Sequence, residues 1–305
     1  MDNLKKKNSI LIWLNISMLA FFGALFIIGT FNDEAIAGAL FSPDSTAAAL
    51  ITSTGVYPFF TAPVLFAGAL FERTLHSGKS KSVKVMLGAL CVIIAASVGF
   101  IGGSALSDRN CFGMIFPAIV RNIPVTAVLS VIFEYPMFLV GFHFAKRSDD
   151  KQLVKRIIGL LVLLLTAFVT MQVLKNVFNR PRYRTAILGY EGIGYVPWYT
   201  RFTGAEGYVN EYDINADEFR SFPSGHSILS LSAIYILPSL SWLFPKLKDK
   251  QILLLLVGFM FGVTIMLTRI ILGAHYLSDV SAGALIGILL SLVYTFMQLR
   301  LSKHK

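Results

Sequence analysis

Charged residues are scarce in this chain. Asp, Glu, Lys and Arg together make up only 14% of its 305 residues, whereas hydrophobic residues make up 55%. A soluble globular protein carries about 25% charged residues. The composition therefore excludes an ordinary soluble domain and predicts a polytopic membrane protein.

Cysteine is also scarce, with only Cys91 and Cys111 in the whole sequence. Cys91 lies inside a predicted span and Cys111 in a predicted outer loop, so their sulfur atoms are not expected to meet. No disulfide framework and no redox role are therefore expected. The sequence also lacks internal repeats and low-complexity tracts, which favours one compact bundle.

Long apolar runs are what the sequence has in abundance. A helix needs about 20 apolar residues to cross the hydrocarbon core of a bilayer. Eight windows meet this requirement, near residues 10–30, 50–71, 84–104, 123–145, 155–175, 226–243, 252–270 and 276–299. The predicted fold is all-α, a transmembrane bundle of about eight spans. We divide it into residues 1–122, with three N-terminal spans and an outer loop, and a helical core over residues 123–305.

The Lys and Arg residues predict the orientation of these spans, because basic loops stay cytoplasmic. With both termini in the cytoplasm, 18 of the 27 basic residues fall on the inner side. The other nine are Arg109, Arg121, Lys175, Arg180, Arg182, Arg184, Arg201, Arg220 and Arg269. Snorkelling to lipid headgroups would account for single members of this set. It does not explain why they cluster at two helix ends.

Most predicted loops are short, but the outer segment over residues 183–222 is long and rich in glycine and aromatic residues. Loops longer than about 12–15 residues are usually functional or disordered. Because aromatic side chains favour the membrane interface, we expect this segment to fold back as a lid. Its acidic run, residues 213–218, has Glu218 where a calcium loop needs glycine, and is interpreted as a solvated loop.

A Pro-Ser-Gly-His step at residues 223–226 opens one of the apolar runs. The first N–H groups of a helix have no partners within the helix, and Gly225 would let an anion approach them closely. Ser224 adds a hydroxyl donor, and His226 would stand beside the anion. A simple helix cap followed by a solvated histidine is the alternative interpretation.

A second group of polar residues lies between the last two apolar runs. His275 and Asp279 are four residues apart, so on a helix they would share a face. An aspartate that accepts from one imidazole nitrogen makes the other nitrogen a better base or nucleophile. Arg269 precedes a break at Gly273 and could fold back over the same anion. Capping of its helix is the alternative role for Asp279.

A third group ends the fifth window, where Lys175, Arg180 and Arg182 fall within one or two turns and Pro181 stops the helix. All three groups end on the same predicted side of the membrane. Cationic donors, helix N–H groups and two histidines around one pocket are typical of a phosphoryl site.

The three groups resemble the signature of the type 2 phosphatidic acid phosphatase (PAP2) superfamily, which reads K-x6-R-P, P-S-G-H and S-R-x5-H-x3-D. Lys175 and Arg182 keep the first spacing, and the second motif is complete. Arg269, together with His275 and Asp279, keeps the third. Tyr183 replaces the proline after Arg182, and Thr268 replaces the serine before Arg269. Because Arg180 precedes a proline, either arginine could bind the phosphate.

The resemblance implies roles for the motif residues. His275 would be the nucleophile, Asp279 would stabilise its imidazolium, and His226 would protonate the leaving oxygen. The phosphate ligands would be Lys175, Arg182 or Arg180, Ser224, Gly225 and Arg269. The implied activity is metal-independent and cofactor-free hydrolysis of a lipid phosphate or diphosphate, of the undecaprenyl diphosphate, phosphatidic acid or phosphatidylglycerophosphate type, at the outer face of the cell membrane. No nucleic-acid partner is implied.

Three alternatives remain from the residues. A soluble sugar phosphate would be the substrate in a glucose-6-phosphatase-like enzyme. A metal hydrolase could use the two histidines and Asp279 as zinc ligands, although the nearby cations oppose a metal ion. An anion transporter would find support in Glu134, since carboxylates inside a membrane are usually functional. A protonated Glu134 that stabilises a kink beside Pro136 is equally compatible with the sequence.

Overall fold

All regular structure in the described part of the chain is helical, which confirms the predicted all-α class. The computed structural model describes residues 2–303, with side chains over residues 9–302. The α-helices are α1 (Asp2–Leu40), α2 (Thr46–Ser53), α3 (Tyr57–Leu75), α4 (Lys81–Leu106), α5 (Ile123–Leu129), α6 (Tyr135–Ala145), α7 (Leu153–Phe178), α8 (Tyr183–Ala186), α9 (Ala205–Glu211), α10 (Gly225–Leu231), α11 (Ala233–Ser239), α12 (Gln251–Ile271) and α13 (Leu277–Lys303). The predicted inner cations Lys5, Lys6, Lys7, Lys303 and Lys305 have side chains outside the described residues.

Within the described residues, seven helical segments are long and apolar enough to cross a membrane. They are Ser9–Leu40, Thr46–Leu75, Lys81–Leu106, Ile123–Ala145, Leu153–Ala186, Pro245–Ile271 and Leu277–Ser302. These segments contain seven of the eight predicted windows. The bundle therefore has the membrane-protein character that the composition predicts.

The eighth window, residues 226–243, is helical but interrupted. It forms α10 and α11, which meet at Ser232, followed by a 3-10 turn at Leu240–Trp242. The Ser232 hydroxyl donates to the carbonyl of Leu229, and Pro238 lies inside α11. Serine back-bonding bends a helix, and proline removes a backbone donor. This segment is buried among α12, α13, α3 and α7, at the centre of the bundle.

The helices that precede residue 122 are packed onto those that follow it. The first helix, α1, lies along α13, and α3 contacts both α4 and α6. Helices from both sides of the predicted boundary therefore share extensive interfaces, while the division into two domains stays a prediction.

The fourth predicted span contains a π-helical turn, Ser130–Glu134, between α5 and α6. Glu134 is fully buried at the end of this turn and accepts a hydrogen bond from Thr61 Oγ1 at 3.0 Å. A π-turn beside a proline is a recognised cause of helix kinks. Glu134 therefore lies in a π-turn beside Pro136, and both interpretations of its sequence position stay predictions.

The long segment after α7 is folded back onto the bundle, as expected. Trp198 Nε1 donates to Thr30 Oγ1 of α1 at 3.0 Å. The amide of Arg182 donates to the carbonyl of Glu218 at 2.8 Å, and the amide of Arg184 donates to the carbonyl of Gly273 at 2.9 Å. These contacts tie both ends of the segment to the motif residues.

The predicted orientation can be tested with single cysteines at Ser80 and Thr203, which are both exposed. In intact cells or sealed vesicles, S80C should react with an impermeant maleimide only from the cytoplasmic side, and T203C only from the outer side. The physical reason is the excess of Lys and Arg in the predicted inner loops. The native cysteines are buried, so the wild-type protein is a low-labelling control. Labelling of both variants from the same side would contradict the arrangement of spans.

Candidate active site

Residues from all three predicted groups line one cavity of about 310 Å³. Lys175 and Arg182 come from the first group, Gly225 and His226 from the second, and His275 from the third. The three groups lie about 40–100 residues apart in the sequence. The packing of α7, α10 and α13 against one another brings them to the same cavity. The structure therefore brings together five of the predicted site residues.

Lys175 lies in the last turn of α7, directly over the start of α10. A Cβ atom at Gly225 would lie 3.1 Å from Lys175 Cε and 2.7 Å from Met171 Sδ. Only glycine lets α7 and α10 approach this closely at that point. The helix ends at Phe178, because Asn179 takes a left-handed conformation (φ 48°) immediately before the Arg180-Pro181 step.

Ser224 is the N-cap of α10, and its hydroxyl accepts from the amide of Ser227 at 3.3 Å. Its own amide donates to the carbonyl of Asp279 at 3.0 Å. The backbone of Ser224 thus joins α10 to α13. The hydroxyl can still donate its hydrogen, so a phosphate contact from Ser224 stays a prediction.

His275 lies in the short loop between α12 and α13, behind a left-handed Gly273 (φ 62°). Its Nδ1 is 3.7 Å from Asp279 Oδ2 and 3.5 Å from Ser221 Oγ. Ser221 Oγ donates to the same Asp279 oxygen at 2.5 Å. The predicted histidine–aspartate pair is present at ion-pair distance, with Ser221 beside both groups. Burial lowers the pKa of His275 to about 3, against the opposing effect of Asp279, so the imidazole is neutral at ordinary pH.

Asp279 also has the capping role that was the alternative interpretation. Its Oδ2 accepts from the amide of Tyr276 at 2.9 Å, just before α13 begins. The two interpretations are therefore not exclusive, because one carboxylate caps the helix and faces His275.

Arg180 lies outside the cavity, with its guanidinium fully buried. It donates to Asp33 Oδ2 at 2.9 Å, to Asp279 Oδ1 at 2.5 Å and to the carbonyl of Val196 at 2.7 Å. The guanidinium also stacks on the ring of Tyr276, 4.0 Å from its centroid. Arg180 therefore fixes the position of Asp279 from the side away from the cavity, whereas Arg182 lines the cavity.

Arg182 and Arg269 form a cation cluster with Lys175 and Arg184. Arg182 Nη2 is ion-paired with Asp217 Oδ2, and its Nε donates to the Asp217 carbonyl at 3.0 Å. Arg269 is fully buried and donates to Thr52 Oγ1 at 3.4 Å. It lies directly behind the cavity wall.

The interpretation of residues 213–218 as a solvated loop is wrong at its C-terminal end. Asp217 pairs with Arg182, and Glu218 Oε2 accepts from Arg184 Nε at 2.9 Å. Burial would raise the pKa of Glu218, but the two arginines lower it to about 2. Burial likewise opposes ionisation of Asp217, yet the charges of Arg182 and Lys175 hold its pKa well below the ordinary value.

Sequence reasoning missed Ser221, Asp33, Asn110 and Cys111 at this site, besides Asp217. Asp33 comes from α1, and Asn110 and Cys111 come from the loop after α4. An acidic residue within a long apolar helix was the one available signal for Asp33. Cys111 Sγ lies 3.5 Å from His226 Nε2, and burial raises the pKa of its thiol to about 12. Cys91 and Cys111 are both buried free thiols.

The model of the PAP2 superfamily matches residues 156–302, which contain all three motif groups. No curated protein and no solved structure matches the chain. Helices α1–α6 precede the matched segment.

The buried Arg180 network generates a stability prediction. Removing one partner of a buried ion pair costs about 3–5 kcal/mol, because the other charge is left uncompensated. Asp33→Asn should therefore lower the free energy of unfolding by about that amount. Denaturant titration in detergent micelles, followed by circular dichroism, would measure the change. The exposed neighbour gives a matched control, since Glu34→Gln should stay within about 0.5 kcal/mol of wild type. Equal stability of the two variants would contradict the structural role of Asp33.

Proposed function

Because residues 156–302 form a PAP2 superfamily domain, we propose that this protein is a membrane-embedded phosphatase that hydrolyses a lipid phosphate or diphosphate through a phosphohistidine intermediate. The family and the apolar helices support a membrane phosphatase in general terms. The observation that carries the finer proposal is the convergence of His226, His275, Lys175 and Arg182 on one cavity.

The first chemical step uses the two histidines. His275 Nδ1 faces Asp279 and Ser221, so the lone pair for attack is on Nε2. As Nε2 bonds to phosphorus, the bond from phosphorus to the leaving oxygen breaks, and His226 transfers a proton to that oxygen. Burial and the nearby Arg269 lower the pKa of His226, so the negative charge of the bound phosphate is needed to hold this proton on the imidazole. Asp279 stabilises the positive charge that develops on the imidazole ring. The lowered pKa of His275 keeps this nucleophile neutral before attack.

The second step releases phosphate. His226, now without its proton, takes a proton from water as the water oxygen attacks phosphorus. The N–P bond breaks, its electron pair returns to His275, and inorganic phosphate leaves. Each step of general acid or base catalysis contributes about 10²–10⁴ in rate.

Lys175, Arg182 and Arg269 supply the positive charge that a phosphoryl group requires. A water-poor site strengthens these interactions relative to solution. Asp217 pairs with Arg182, so phosphate oxygens would compete with this carboxylate for the guanidinium. Three cations around one cavity also oppose a divalent metal ion, which supports metal-independent hydrolysis. Among the described residues, no three His, Cys, Asp or Glu side chains are grouped as a metal site.

An apolar groove beside the cavity favours a lipid substrate over a soluble sugar phosphate. It has a volume of about 350 Å³ and lies between α3, α4 and α7. Phe60, Ile101 and Phe168 line both the groove and the cavity, so the two spaces are adjacent. A hydrocarbon chain fits a groove of this chemistry, whereas a sugar would leave it unfilled. We infer from the basic residues that the cavity is at the outer face of the cell membrane.

The histidine roles are tested by substitution. His275→Ala should abolish release of inorganic phosphate from phosphatidic acid, undecaprenyl diphosphate and phosphatidylglycerophosphate in mixed micelles with excess EDTA. His226→Ala should lose less activity on an aryl phosphate, because a good leaving group needs little protonation. His143→Ala alters an exposed histidine of α6 and should match wild type.

Three outcomes would contradict this account. Turnover by His275→Ala above about a tenth of wild type would exclude His275 as the nucleophile. Loss of activity in EDTA, restored by zinc or magnesium, would indicate a metal-dependent hydrolase. Phosphate binding without turnover on any of the lipids would favour an anion transporter.

A further inference from the structure

Asn110 occupies the centre of the cation cluster, although it lies outside the segment that matches the family. It belongs to the loop between α4 and α5 and is only 4% exposed. It also lines the cavity beside His226 and His275. No motif in the sequence singles it out.

The side-chain oxygen of Asn110 is shared by three arginines. Oδ1 accepts from Arg182 Nη1 at 2.8 Å, from Arg184 Nη2 at 3.2 Å and from Arg269 Nη2 at 3.4 Å. The backbone oxygen of Asn110 accepts from Arg269 Nη1 at 3.2 Å. Two oxygens of one residue therefore fix the positions of three guanidinium groups.

The orientation of the amide follows from its other contacts. Nδ2 donates to Asp108 Oδ1 and to Asp217 Oδ2, both at 3.1 Å. The backbone amide of Asn110 donates to the same Asp108 oxygen at 2.8 Å. Carboxylates accept only, and guanidinium groups donate only. The amide nitrogen must then face the carboxylates, and the amide oxygen must face the arginines.

The acceptor that the three arginines share, the amide oxygen of Asn110, carries no net charge. Three guanidinium groups repel one another, so they stay close together only when they donate hydrogen bonds to a shared acceptor. A carboxylate in this place would satisfy them but would also cancel part of their charge. An amide oxygen satisfies the donors and leaves the positive charge for a phosphate. Arg269 Nε is buried without a hydrogen-bond partner in the described residues, so the cluster retains an unused donor.

We propose that Asn110 is a positioning residue for the phosphoryl site, which aligns Arg182 and Arg269 without neutralising them. This inference rests on the proposed function, since it assigns to the same cavity a phosphate-binding cluster. Through Asn110, the part of the chain before residue 156 contributes a residue to the phosphoryl site.

The test measures binding of orthovanadate by calorimetry, together with kcat/KM for lipid phosphate hydrolysis. Vanadate resembles the transferring phosphoryl group, so its affinity reports the geometry of the cluster. Asn110→Ala should weaken vanadate binding and lower kcat/KM by about tenfold to a hundredfold, as misplacement of catalytic donors does. Asn110→Asp has nearly the same shape and should weaken vanadate binding further, because it adds a negative charge.

A charge exchange distinguishes positioning from a purely structural role. In Asn110→Asp, the new carboxylate at residue 110 faces the carboxylate of Asp217, and the two repel each other. The additional Asp217→Asn change removes this repulsion. Asn110→Asp should therefore cost more vanadate affinity in the presence of Asp217 than in the Asp217→Asn background. Arg109→Ala, an exposed change in the same loop, should leave affinity and kcat/KM at wild-type values.

The results separate this inference from the proposed function. Wild-type vanadate affinity and kcat/KM in both Asn110 variants would overturn the inference while the phosphatase proposal stands. A wild-type protein that binds vanadate but hydrolyses none of the lipids would overturn the phosphatase proposal, and the vanadate titrations would still decide the role of Asn110. If Asn110→Asp lowers vanadate affinity equally in the presence of Asp217 and in the Asp217→Asn variant, the proposed positioning is also contradicted.

Discussion

Burial of guanidinium charge is the constraint on which the rest of this structure depends. Arg180, Arg182 and Arg269 are at most 2% exposed. A buried charge is tolerated only when it is paired or hydrogen-bonded, because its loss of hydration is expensive. The acceptors come from distant parts of the chain, including Asp33 of α1 and Asn110 after α4. The bundle must therefore assemble as a whole before any of these arginines is satisfied.

The arginines divide into two groups according to how completely they are paired. Arg180 donates to two carboxylates, to the Val196 carbonyl and to the Ser278 hydroxyl, and it does not line the cavity. Arg182 and Arg269 share the neutral oxygen of Asn110, and only Arg182 has a carboxylate partner. The first group builds a rigid support for Asp279 and His275. The second leaves a net positive charge at the cavity, which is what a phosphoryl group requires.

Local sequence patterns predicted the parts of the site that local geometry determines. Each of three patterns lies at a single helix end: the spacing of Lys175 from Arg182 at the end of α7, the Pro-Ser-Gly-His step at the start of α10, and the spacing of His275 from Asp279 at the start of α13. Apolar length likewise predicted seven segments that the structure shows as long helices. The interrupted α10–α11 segment has the same apolar length, but its serines and Pro238 divide it.

The parts that could not be predicted depend on contacts between distant residues. The acidic run that contains Asp217 predicts a solvated loop, because it lacks the glycine of a calcium loop, whereas folding of the long segment places Asp217 on Arg182. Asn110 carries no charge and belongs to no motif, so only the convergence of three arginines reveals it. The choice between Arg180 and Arg182 was also open, because it depends on Asp33, which is 147 residues from Arg180.

The central claim is that His275 forms a covalent bond to phosphorus at this cavity. Rapid acid-free quenching of the wild-type protein with a lipid substrate labelled with ³²P at the transferred phosphate tests it most directly. The account predicts a labelled protein whose phosphate is stable in alkali and released by acid, as for a phosphoramidate, with the label mapped to His275. It also predicts that the label is absent in His275→Ala. A wild-type enzyme that turns over without labelled protein under single-turnover quenching, or a label on another residue, would contradict the account.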